Sequence, residues 1–203
     1  MIFDEKGAEF PMDFVQPIKD QAKIEAMKKV LKTKRLRDYA LFVLGINSGL
    51  RISDLLALKV EDILTTEGNV SDRITLSRER TGKTQVFPIG PSAREALREH
   101  LAQSALAPTS PLFPSRKGSQ GKIRPISREQ AYRILNDAAK TVGIKENIGT
   151  HTLRKTFAYH AYKNGHDLSM IQKILNHSAP SVTLRYIGIT QEEPGDVRFS
   201  MDL

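Results

Sequence analysis

HTLRKTFAYHAYKNGHDLSMIQKILNHSAPSVTLRY, residues 151–186, is the stretch on which the reading of this chain turns. Leu153, Phe157 and Ala161 recur at helical spacing and predict a helix over about 150–164. His151 and Arg154 stand three apart near its start, so both side chains share one face. A guanidinium fixed beside an imidazole, with helix N-terminal amides nearby, makes a receptor for a phosphate oxygen. Ile174 and Leu175 end a second apolar helix, over 168–175, before Asn176-His177. Asn follows Gly as the residue of choice for a left-handed helix end, and that turn projects His177 away from the core. Tyr186 lies one helix further on, over 181–189, with Val182 and Leu184. Two arginines (Arg51 is the other), two histidines and a tyrosine suit a doubly flanked phosphate. Each piece alone also has a plainer reading. The His-Arg pair fits an amphipathic surface, and a lone tyrosine fits a core or rim aromatic.

Working outward, residues 1–16 show no period, include Gly7 and Pro11, and read as an N-terminal arm. Ile24, Met27, Val30 and Leu31 predict a helix over about 18–31. Leu41, Phe42, Leu44 and Ile46 predict a buried one over 36–48. Gly49 breaks it, and a short helix over 52–58 begins near Ser53. The Gly49-Leu50-Arg51-Ile52-Ser53-Asp54 segment thus sets a long cation at a break between helices. Asp54 is spaced to hold the Arg51 fork, but Ser53 or Asp54 equally fits an ordinary helix cap. Ile74 and Leu76, then Val86 and Ile89, flank a polar 78–84 segment and predict two strands around a turn at Gly82. A helix from Pro91 to about Ser104 follows. Residues 107–125 read as a mobile loop too polar to pack, and a helix is expected over about 128–142. The fold class is mostly α with a small antiparallel β-sheet (α+β), in one domain.

The 203 residues suffice for one domain with a real core. The chain has no cysteine, which excludes disulfides and thiolate metal sites and suits a reducing cytoplasm. Five histidines without a His-Glu motif argue against a metal centre; His100, His160 and His166 read as structural. The longest apolar stretch, Tyr39 to Ile46, is too short to span a bilayer. The net charge of +8 is unevenly spread: residues 1–16 and 187–203 each carry −3, which leaves +14 on residues 17–186. A basic body with acidic ends is the footprint of a polyanion binder.

In their joint order these residues resemble the tyrosine recombinase, or phage integrase, family. The resemblance covers that family's catalytic domain, from about residue 17 to 190, and implies its fold. Arg51, a hairpin over 78–84, His151 with Arg154, His177 and Tyr186 stand at the family's signature positions. His151 sets the chain apart from the related type IB topoisomerases. The resemblance implies a site-specific DNA recombinase or integrase that cleaves and rejoins strands through a 3′-phosphotyrosine at Tyr186, with no metal and no cofactor. It also implies double-stranded DNA as partner and a homo-tetramer on DNA. Lys117, Lys122 and Arg124 are candidate phosphate contacts. The tail, 191–203, with Phe199, Met201 and Leu203 alternating with polar residues, either docks on a neighbouring protomer or folds back. Two departures stand out. Arg80 occupies the family's hairpin lysine position, with Lys83 just after it, and Asn176 replaces the common Gly. Arg51 also comes too early to leave room for the family's N-terminal clamp, so binding is expected to be steeply salt-dependent. Arg80 and that missing room support an alternative, a DNA-binding accessory or remnant of the fold with little strand exchange.

Overall fold

The computed structural model describes residues 15–78, 83–115, 123–146, 148–149 and 151–189, without the side chains of Arg78 and Lys83. Asp20 accepts hydrogen bonds from the backbone N–H of Ala22 and Lys23 and so starts α1, Gln21–Lys34. This helix buries Ile24, Met27 and Leu31, three positions on one stripe. Helix α2, Leu36–Ser48, is buried on nearly every face, because α1 and two later helices pack around it. Leu41, Phe42 and Leu44 have no exposed surface. Each such side chain stabilises the fold by about 1.5–3 kcal/mol. Gly49 ends α2 in the left-handed region, at φ 71°.

Helix α3, Ile52–Ala57, follows at once, with Arg51 at the N-cap and no side-chain cap bond. Neither Ser53 nor Asp54 caps it, because the helix begins one residue before the first of them. A 3-10 turn over Val60–Ile63 leads to the hairpin of β1, Arg73–Arg78, and β2, Lys83–Pro88. The strands pair antiparallel from Arg73 opposite Pro88 to Arg78 opposite Lys83. Alternation puts the Ile74–Phe87 pair inside, both fully buried, while Val86 faces out. Phe87, not Val86, is therefore the inward residue of β2.

Pro91 opens α4, Pro91–Ala102, and Ser127 with Gln130 forms a reciprocal capping box at the start of α5, Arg128–Thr141. The expectation of an unpacked 107–125 loop is corrected for its first half. Leu112 and Phe113 are fully buried, Pro111 bridges to Lys59, and Pro114 bridges to Pro125. The polar average over this stretch hides a two-residue apolar anchor. Three more helices follow: α6, Thr152–Lys163, α7, Leu168–Leu175, and α8, Pro180–Ile187. They enclose a second apolar cluster of Ala158, Ile171, Leu175 and Ile187, next to the main core. Leu153 of α6 belongs to the main core, so this helix ties the two clusters together. Among the described residues, no helix is long and apolar enough to cross a membrane.

Gly49 also serves packing. A Cβ there would come within 2.7 Å of the Phe157 ring of α6, on top of its positive φ. Gly68 has a similar φ of 78° but open space around it. Gly49→Ala is expected to lower stability by about 1–3 kcal/mol. Gly68→Ala should cost less, as urea unfolding of the two variants will read. Equal losses would mean that the Phe157 ring yields at no cost.

Candidate active site

The end of α2, the start of α6 and the end of α7 meet at one side chain. Arg154 is 4% exposed, and its guanidinium donates from Nη1 to the carbonyl of Gly49 and from Nη2 to that of Leu175 at 2.5 Å. Both acceptors lie at helix C-termini, where the helix dipole favours a cation. Arg51, two residues past Gly49, is half-buried at the start of α3.

His151 stands at the N-cap of α6, in a turn closed by reciprocal bonds between Gly149 and Thr152. Asn136 of α5 holds the same turn by donating to the carbonyl of Ile148 at 2.5 Å. His177 is delivered by the end of α7. Asn176 takes φ 50° there, the His177 N–H returns to the carbonyl of Gln172, and the Asn176 N–H returns to that of Lys173. These paired bonds form a Schellman motif, which aims the next residue out of the helix.

Tyr186 and Thr183 lie three apart on α8, hence on one face, and both meet His177. The Thr183 hydroxyl, fully buried, is 3.0 Å from His177 Nδ1. That contact occupies Nδ1 and leaves Nε2 as the nitrogen available to a ligand. The His177 and Tyr186 rings meet edge to face, with centroids 5.0 Å apart and planes at 75°. Tyr186 Oη is buried, with no hydrogen-bond partner at full bonding distance among the described residues. The Arg154 guanidinium is nonetheless near enough to favour the phenolate.

Electrostatics link all five groups. Burial raises the Tyr186 pKa above the usual tyrosine value, and Arg154 and Arg51 pull against that rise. Burial lowers His177, and the same two arginines lower it further. His151 is lowered in the same order of causes, with Lys155 adding to the arginines. His151 is more exposed than the half-buried His177, and water screens the arginine field more strongly there. Both imidazoles are thereby favoured as neutral bases. The buried phenol thus meets the His177 imidazole and lies in the field of the Arg154 and Arg51 guanidiniums, which His151 also feels, a set of groups matched to a phosphate ester.

Of the other candidate residues, Lys83 opens β2 with its side chain outside the described part, and Arg80, Lys117 and Lys122 lie outside the described residues. So do most of the N-terminal arm and the 191–203 tail. Arg124 is exposed at the base of the 107–125 loop, where its carbonyl accepts from the Ser115 N–H. His100 and His160 are spent on the carbonyls of Leu112 and Ile18. No group of acidic and histidine side chains suited to a metal occurs among the described residues.

Three side chains that bear on the site escape pattern reading. Thr183 orients His177. Gln85 of β2 donates to the carbonyl of Ile174 at 2.8 Å and straps the hairpin to the end of α7. Lys155 sets its ammonium 5.2 Å from the centroid of the Tyr186 ring. Only Thr183 had a signal in sequence, its three-residue spacing from Tyr186.

Residues 19–193 match the family model described as the phage integrase family. The probable integrase/recombinase YoeC of Bacillus subtilis (strain 168) is 44% identical over 181 residues, which cover 89% of this chain and 93% of that protein. The tyrosine recombinase XerC of Thermodesulfovibrio yellowstonii is 37% identical over 158 residues. The match covers 74% of this chain but 49% of that protein, so the chain spans about half of this relative's length. Among solved structures, XerA recombinase aligns at a TM-score of 0.69 with 24% identity, over 91% of this chain and 65% of that one. XerH site-specific recombinase, in a post-cleavage complex with a palindromic difH substrate, aligns at 0.65 with 18% identity, over 94% and 59%. At such identities the two structures speak for the fold alone.

Thr183→Val keeps the shape of the side chain but removes the partner of His177 Nδ1. A loss of about 1 kcal/mol is expected. The ring 15N shifts of His177 should also move from one tautomer toward a mixture. Unchanged shifts would remove Thr183 from the orienting role.

Proposed function

The chain belongs to the phage integrase family, and we propose that it breaks and rejoins DNA strands with Tyr186 as nucleophile. The observation that carries this reading is the buried Tyr186 oxygen lying in the field of Arg154 and Arg51 beside the His177 ring. In the proposed step, Tyr186 Oη attacks a backbone phosphorus and the bond to the 5′ oxygen breaks. The product is a 3′-phosphotyrosine and a 5′-hydroxyl. The phenolic proton passes to a neutral imidazole or to water, and the departing oxygen gains a proton. A free tyrosine ionises near pH ~10 and is a weak nucleophile at neutral pH. Both guanidiniums lower the cost of the phenolate and then meet the charge on the non-bridging oxygens. Such preorganised donors contribute about 3–4 kcal/mol each in comparable sites. The ester energy is kept in the phosphotyrosine, so a second strand's hydroxyl reverses the step without ATP or metal.

In this reading the partner is duplex DNA, the working form is a tetramer on DNA, and the compartment is the cytoplasm. The +14 charge of residues 17–186 supports the first of these. Lys117, Lys122 and Arg124 serve as phosphate contacts, and Lys83 or Arg80 supplies the hairpin cation. The 191–203 tail is assigned to a neighbouring protomer. Arg80 at the hairpin lysine position favours a second reading, a DNA-binding accessory of the same fold with little turnover. Arginine holds its proton too tightly to be a good acid.

A pool of nicked duplexes of randomised sequence separates the two, because a nick next to the cleavage point traps covalent protein–DNA. The recombinase reading expects an adduct with the native chain and none with Tyr186→Phe, which still shifts DNA in a gel. DNA retention with no adduct from the native chain supports the accessory. In the same assay Arg51→Ala should slow adduct formation about 10²–10³-fold. A rate within a factor of two would take Arg51 out of the transition state.

A further inference from the structure

Lys155 directly follows Arg154 on α6, and the function proposed above gives it no part. Its side chain is half-buried, and its ammonium lies over the Tyr186 ring, 5.2 Å from the centroid. The His177 ring meets the same tyrosine edge to face. The nucleophile is therefore held by an imidazole and by a cation, on elements other than its own helix. Helical geometry accounts for the placement. Arg154 points between the ends of α2 and α7, and the next position turns by about 100°, toward α8.

We propose that Lys155 is a positioning residue for Tyr186, fixing its ring and favouring loss of its proton through a cation–π contact that strengthens as the phenolate forms. The physical basis is the charge distribution. In the phenol, the ring face carries only the partial negative charge of its quadrupole. When the proton leaves, charge spreads onto the ring carbons, and a cation above the face gains attraction. The effect therefore acts on the transition state more than on the resting site. It works in the same direction as the two arginines and against the burial that raises the tyrosine pKa.

The contact has a signature that a purely structural lysine lacks. Burial lowers the Lys155 pKa below the usual lysine value. The ammonium is therefore lost as pH rises through a value lower than for a solvated lysine. The charged and titratable groups around the pair are Arg154 and His151 on or beside α6, Arg51 at α3, His177 in the α7–α8 turn and Tyr186 itself. The arginines stay charged throughout, and both imidazoles are biased to the neutral form before the lysine titrates.

The inference rests on Tyr186 being the nucleophile, and its test keeps the two apart. Adduct formation on the randomised nicked-duplex pool is timed from pH 6.5 to 10 for the native chain, Lys155→Met and Lys155→Arg. Thermal unfolding first checks that each variant is folded. At pH 7, Lys155→Met should be about three- to tenfold slower, and Lys155→Arg close to the native rate. The native-to-Met ratio should then shrink toward one as pH climbs past the lowered lysine value, while the Arg-to-Met ratio persists. A ratio independent of pH, equal rates at pH 7, or an Arg variant no faster than the Met variant overturns the proposal. If the native chain itself forms no adduct, the nucleophile assignment fails and this role falls with it. A normal native adduct with failing Lys155 predictions sinks this role alone.

Discussion

A single buried guanidinium sets the geometry on which the rest of the molecule depends. Arg154 would be costly to bury alone, since an unpaired charge out of water loses many kilocalories of solvation. Here the carbonyls of Gly49 and Leu175 take two of its donors. These carbonyls end helices, so they lack intrahelical partners and carry the negative end of the helix dipole. The pairing satisfies the cation and both helix ends together. It also holds the last turn of α2, the first turns of α6 and the last turn of α7 at fixed separations.

The neighbouring features are consistent with that constraint. Gly49 must be left-handed to end α2 where its carbonyl faces Arg154, and it must lack a Cβ so that Phe157 can lie against it. Asn176 must be left-handed so that α7 stops at Leu175 and His177 turns toward α8. The main core and the smaller α6–α8 cluster then meet along α6, through Leu153 on one side and Ala158 on the other. The candidate site lies along this seam. Arg154 and His177 are held there by bonds to packed elements.

How much of this was legible in the sequence follows from the range of each interaction. Helical periods are local, so α2 and α7 lie where the spacing of their apolar residues puts them. The end of α7 was readable for the same reason, since Asn in a left-handed turn is a property of one residue. Composition misled over 107–125, because averaging hid Leu112 and Phe113 among prolines and serines. The strap from Gln85 to Ile174 spans 89 residues and the Arg154–Gly49 bond spans 105. No local pattern encodes such pairs. The resemblance pointed to Arg51, His151, Arg154, His177 and Tyr186, but the orienting Thr183 and the cation over the Tyr186 ring needed three dimensions.

One bond pair further along α6 has a mechanical consequence. The segment before α1 is pinned at Ile18 from both sides, its N–H to the Thr156 hydroxyl at 2.9 Å and its carbonyl to His160 at 2.9 Å. Thr156 and His160 follow Arg154 by two and six residues on the same rigid helix. A tug on the leading strand of the chain is therefore delivered to the rod that bears Arg154, with no hinge in between. Tension applied at that tether would register as a shift of the guanidinium against its two carbonyls.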